Sequence, residues 1–174
     1  MLSDGSTTDS TQASANNQFT VRAAGGIRLF TNATMTTGVQ VAAGGSSWAV
    51  ISDRNRKQDF LAVNGEELLA RLRGVPVSTW RYRDEEDRAT FHIGPMAQDW
   101  HRAFGFTRDD RTINMSDLDG VNLAAAQALE RRTATQAGEI AVLHQEVDEL
   151  RRANAALEAR LQRLEAGASG SVAP

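Results

Sequence analysis

Residues 140–164 read IAVLHQEVDELRRANAALEARLQRL, and their spacing sets the architecture of the C-terminal part of the chain. Ile140, Val147, Asn154 and Leu161 recur at position a of a seven-residue repeat. Leu143, Leu150, Leu157 and Leu164 recur at position d. Four successive leucines at this spacing, flanked mostly by Glu, Arg, Gln, Asp and Ala, are a coiled-coil signature. An amphipathic helix packed on its own globule would show a wider apolar face. In a parallel, in-register coil each g residue faces the e residue five later on its neighbour. That pairs Glu146 with Arg151, Arg160 with Glu165 and, below neutral pH, Glu139 with His144. Such pairs contribute a few tenths of a kcal/mol at most, so they select orientation more than they stabilise. Ile or Val at a with Leu at d favours two strands, and Asn154 at a fixes the register.

The helical composition extends back to about Leu118, with Gly138 its only weak point, so residues 118–166 are expected to form one helix. Its length would be roughly 70 Å. Residues 167–174 read as a disordered tail. Before the helix, residues 52–117 form a mixed segment. Asn64 caps a helix through Glu66, Glu67, Leu68, Leu69 and Leu72 that stops near Gly74 and Pro76. Val77–Arg83 and Thr90–Ile93 suit two strands of a hairpin around an acidic turn, Asp84–Asp87. Pro95 then opens a helix through Met96, Ala97, Trp100 and Phe104, ended by Gly105. Residues 19–51 read as four short strands: Phe19–Val21, Gly26–Phe30, Gly38–Val41 and Trp48–Ile51. Ile27 and Leu29, then Val39 and Val41, give each inner strand one apolar face. So small a sheet needs a partner, which other copies of the chain could supply. Residues 1–18 are too polar to build a core and read as a disordered linker. A start in such a linker suggests the tail end of a longer protein or a short version of one. The expected fold class is α+β: a short β-rich stem, a small mixed α/β domain and a long C-terminal helix.

Composition excludes several functions. Cysteine is absent, which removes disulfides, thiolate nucleophiles and cysteine metal sites. His92, His101 and His144 lack ligand spacing, so no metal and no cofactor is expected. A net charge of -3 argues against a nucleic-acid surface. No apolar run approaches the ~20 residues of a membrane span, and no signal-peptide pattern opens the chain. Among 19 basic residues only Lys57 is lysine. Arginine stays protonated, whereas lysine can serve as a neutral base. The alternative is drift towards arginine, with Lys57 an accident.

Lys57 lies five residues after Ser52. A Ser–Lys pair works as nucleophile and general base once the amine is neutral, which burial or neighbouring positive charge favours. Arg54 and Arg56 supply such charge in sequence. With 11 serines in the chain, a random lysine falls at this spacing roughly 6% of the time, so spacing alone is weak. The plainer reading is a solvated turn capped by Ser52 or Asp53. Residues His92–Asp99 form a strand–turn–helix junction whose free N–H groups suit an oxyanion. Physics alone favours a plain turn made by Gly94 and Pro95, with His92 a satisfied, partly buried side chain.

Three stretches together carry a resemblance: SDRNRK at 52–57, HIGPMAQD at 92–99 and DLDGVNLAAAQAL at 117–129. The arrangement, spanning about residues 48–165, resembles the intramolecular chaperone autoprocessing domain at the C-termini of phage tailspikes, endosialidases and tail fibres. Residues 19–47 look like the short β stem that precedes this domain in bacterial tail-fibre-domain proteins. The resemblance implies a homotrimer that guides the upstream β segment of the same chain into an interwoven stem, then cuts itself free. It implies Ser52 as nucleophile and Lys57 as base, with the scissile bond at Ser52–Asp53 and Ile51–Ser52 as the rival. Asn55, His92, Gly94 and Gln98 stand as supporting positions. It makes the coiled coil three-stranded against the dimer its heptads suggest, with polar Thr133, Gln136 and Asn154 at core positions consistent with a shift. It implies a phage tail or a prophage-derived bacterial protein made in the cytoplasm. Two other readings remain: a non-cleaving trimerisation module of a tail fibre or surface adhesin, and a Ser–Lys hydrolase acting on separate substrates.

Overall fold

The computed structural model describes residues 2–170, and the side chains of residues 2–166. The expected tail at 167–174 falls partly outside that range. The chain divides into two compact units, Met1–Ala62 and Val63–Pro174.

The first unit is built from five short strands. β1 (Leu2–Ser3) pairs in parallel with β2 (Val21–Arg22), so Leu2 lies opposite Val21. β3 (Ile27–Phe30), β4 (Gly38–Val41) and β5 (Ala49–Val50) form an antiparallel sheet in that order. The register puts Ile27 opposite Val41 and Leu29 opposite Val39, so the expected apolar faces coincide. Two glycines are required here. Gly38 has φ 159°, and a methyl on it would fall 2.0 Å from the Leu29 carbonyl oxygen. Gly26, at φ 96°, lies in the region that L-residues avoid, at the turn into β3. Leu29 and Val50 of the sheet, and Trp48 just before β5, are about half exposed in the single chain.

The second unit holds the core. α1 (Gly65–Arg73) begins where Asn64 accepts from the Glu66 and Glu67 N–H groups at 3.1 and 3.3 Å and ends at Gly74, as the sequence indicates. β6 (Val77–Trp80) and β7 (His92–Pro95) make the hairpin, with Val77 opposite Pro95 and Trp80 opposite His92. Two expectations are corrected. The first strand stops at Trp80 rather than Arg83. Pro95 closes β7 instead of opening a helix; at a strand end its missing N–H breaks no ladder. α2 (Ala97–Phe104) therefore starts later, with Met96 at its N-cap, and stops at left-handed Gly105, φ 67°. α3 (Met115–Gly170) starts three residues before the expected Leu118, where Asn114 Oδ1 accepts from the Ser116 N–H at 3.0 Å. At 56 residues it would be about 84 Å long if straight.

Leu68 of α1, Trp100 and Phe104 of α2, and Val121 and Ala125 of α3 form one buried cluster. Trp100 is 1% exposed, and its ring lies 4.6 Å from that of Phe104. Gly65 lets α1 approach α3: a methyl there would meet Ala128 Cβ at 2.7 Å. Glu66 adds a polar clasp, accepting from Arg132 Nε at 3.1 and 2.9 Å. Beyond this packed first third, α3 presents Ile140, Leu143, Val147, Leu150, Leu157, Leu161 and Leu164 to solvent in the single chain.

Candidate active site

The loop after β5 is set up by local hydrogen bonds. The Ile51 N–H donates to Gly38 O at 3.1 Å, tying the residue before Ser52 to β4. Asp53 then caps a short 3-10 turn, Arg54–Arg56, in extended conformation (φ -67°, ψ 126°). Its Oδ1 accepts from the Asn55 backbone N–H at 2.9 Å and from Asn55 Nδ2 at 3.1 Å. The turn closes with the Arg56 N–H on Asp53 O at 3.0 Å and the Lys57 N–H on Arg54 O at 3.1 Å. Lys57 is its C-cap, again extended (φ -120°, ψ 155°). The chain has thus turned between residues 52 and 57, and the two side chains meet. Lys57 Nζ donates to Ser52 Oγ at 2.6 Å.

The flanking cations have other contacts. The Arg54 guanidinium sits 4.9 Å from the centre of the Phe60 ring. Arg56 Nε lies 3.9 Å from Asp53 Oδ2. A serine hydroxyl bonded to an amine is the arrangement in which a neutral lysine removes the hydroxyl proton. The loop is exposed in the single chain. Asn55 bonds Asp53, which lies between Ser52 and Lys57 in the chain.

His92, Gly94 and Gln98 belong to the second unit. His92 is half-buried on β7, with Nε2 3.0 and 3.2 Å from the two Glu85 carboxylate oxygens. Its ring lies 4.7 Å from Trp80 and 5.6 Å from Tyr82. That hydrogen bond is the main reason the Glu85 carboxyl sits below its ordinary pKa. Gly94 is a strand residue opposite Ser78, not a turn-maker, and a methyl there would meet nothing within 4 Å. Gln98 is exposed and lines a cleft with Trp80, Tyr82 and Arg111. No side chain caps α2. The role of Glu85 was not legible in sequence, because the acidic turn offers four carboxylates; Trp80 facing His92 follows from the hairpin register.

Residues 52–107 match the family model described as chaperone of endosialidase, a span that begins at Ser52 and includes Lys57, His92, Gly94 and Gln98. No curated protein and no solved structure matches the chain. Among the described residues no helix is long and apolar enough to cross a membrane. Residues 52–107 are thus similar to the intramolecular chaperone domain of endosialidases.

Proposed function

We propose that this chaperone domain trimerises, guides the upstream β segment into a stem and releases itself by autoproteolysis through Ser52 and Lys57. The observation that carries the chemistry is the 2.6 Å hydrogen bond between Lys57 Nζ and Ser52 Oγ at the first residues of the family match. The neutral Lys57 amine takes the Ser52 proton. The hydroxyl oxygen attacks the scissile carbonyl carbon, and the proton passes to the leaving amine as the C–N bond breaks. Water then hydrolyses the ester. The proposed bond is Ser52–Asp53. A serine attacking its own carbonyl closes a strained four-membered ring, so this cut is best delivered by Ser52 of a neighbouring copy. The rival bond, Ile51–Ser52, is reached in the same chain through a five-membered ring.

Assembly is supported by the exposed a and d residues of α3 and by the half-exposed apolar residues of the β3–β5 sheet. Three chains held in register by a parallel coil reach a high effective concentration at the stem. That addresses the register and entropy problem of pairing strands from separate chains. Cutting afterwards removes the path back and leaves a kinetically trapped stem. Asn55, His92, Gly94 and Gln98 are its supporting positions, and a phage tail or prophage-derived fibre is its setting. The test is the mass of the expressed protein. Cleavage after Ser52 yields pieces of 52 and 122 residues, the larger beginning at Asp53; the rival cut leaves Ser52 at that end. A chain that stays whole for days, as its S52A variant does, leaves a non-cleaving trimerisation module.

A further inference from the structure

We propose that Asn55 is a positioning residue for the Ser52–Lys57 pair: it holds the Asp53 carboxylate away from the Lys57 amine. The inference rests on the reading of that pair given above. The charged groups of this loop are Asp53, Arg54, Arg56, Lys57 and Asp59, and strands β4 and β5 carry none. Asp53 is the one carboxylate between Ser52 and Lys57. Left free, it is the natural counter-ion for the lysine. An ion pair would hold the amine in its charged form and draw it off the serine, both contrary to general-base work.

The loop geometry prevents this. Asn55 directs two N–H groups onto Asp53 Oδ1, at 2.9 and 3.1 Å, and Arg56 Nε approaches Oδ2 at 3.9 Å. With Oδ1 hydrogen-bonded to Asn55 and Oδ2 facing the Arg56 guanidinium, the hydrogen bond described for Lys57 Nζ is the one to Ser52 Oγ. An amide suits this task because it donates without adding charge, whereas an arginine or lysine at position 55 would bring a fourth cation to the loop. Alanine at 55 keeps the backbone donor and loses the side-chain one. The carboxylate then gains freedom to swing towards the amine.

The experiment is a four-way comparison: parent, N55A, D53N and N55A/D53N, each made with Ser52 and with S52A. In the S52A series the chain stays whole, and the rate at which an N-hydroxysuccinimide acetate probe acylates the single lysine is read by peptide mass. N55A should slow acylation about two- to fivefold, the range an exposed ion pair allows. It should have no such effect when D53N is already present. In the Ser52 series N55A should displace the cleavage pH profile upward, and D53N should bring it back. Equal acylation in parent and N55A, or the same slowing with D53N present, overturns the proposal. If no Ser52 chain cuts at any pH, the autoproteolytic reading fails, and the acylation comparison still decides the role of Asn55.

Discussion

The contact between α1 and α3 joins the chaperone domain to the long helix, and Gly65→Ala tests it. A methyl at Gly65 would lie 2.7 Å from Ala128 Cβ and 2.7 Å from Arg131 Nη2. Ordinary carbon–carbon contact is about 3.5–4.0 Å, so roughly 1 Å must be found. Arg131 can yield, because Nη2 ends a flexible side chain. Ala128 cannot: it is 1% exposed and its Cβ is fixed to the α3 backbone. Overpacking of this kind costs about 1–3 kcal/mol. Replacing glycine by alanine in a helix returns at most about 0.5–1 kcal/mol, and less at the first helical position. The net expectation is a loss of about 1–2 kcal/mol, or some 4–8 °C in Tm per kcal/mol for a unit near this size. The assay is scanning calorimetry in the S52A background at one fixed protein concentration, since association makes Tm concentration-dependent. Ala128→Gly added to Gly65→Ala should recover at least about 0.5 kcal/mol relative to the sum of the single changes. An unchanged or higher Tm in Gly65→Ala, or strict additivity in the pair, would refute the close approach of α1 to α3.

Further outcomes follow from the same geometry. Lys57→Arg keeps the charge but removes the side chain that can lose its proton; cleavage should stop while sedimentation shows assembly unchanged. The Arg132 hydrogen bonds hold the Glu66 carboxyl below its ordinary pKa. Stability from that pair is therefore present above the unfolded-state carboxylate value, about 4.3, and lost as pH falls below it. Glu66→Gln should flatten this acid-side loss in denaturation curves at pH 3 to 7. Asn154→Ile should raise the melting temperature of the helical assembly and broaden the distribution of species in sedimentation, because a polar a position trades stability for register.

How much of this was legible in the sequence depends on how local the signal is. The α1 boundaries follow from Asn64 and Gly74, since capping is decided by neighbouring residues. The cross-strand pairs Ile27–Val41 and Leu29–Val39 follow from simple alternation. Pro95 misleads because the first helical position and a strand end both tolerate a missing N–H; pairing with Val77, eighteen residues away, decides between them. The start of α3 hides in Asn114, a cap separated from the heptads by a long stretch without their pattern. Ser52 and Lys57 stand out through the family resemblance, because a five-residue Ser–Lys spacing alone is weak. The Asp53-capped turn that brings them together needs coordinates. Asn55 as the residue that restrains Asp53 was beyond any pattern, as was the Glu85–His92 pair.

The intact mass of freshly expressed wild-type chain beside its S52A variant decides whether the chain cuts itself at Ser52. Autoproteolysis after Ser52 gives wild-type pieces of 52 and 122 residues, with a new N-terminus at Asp53, and a whole S52A chain of 174 residues. A wild-type chain that remains whole, or an S52A variant cut at the same bond, would contradict it.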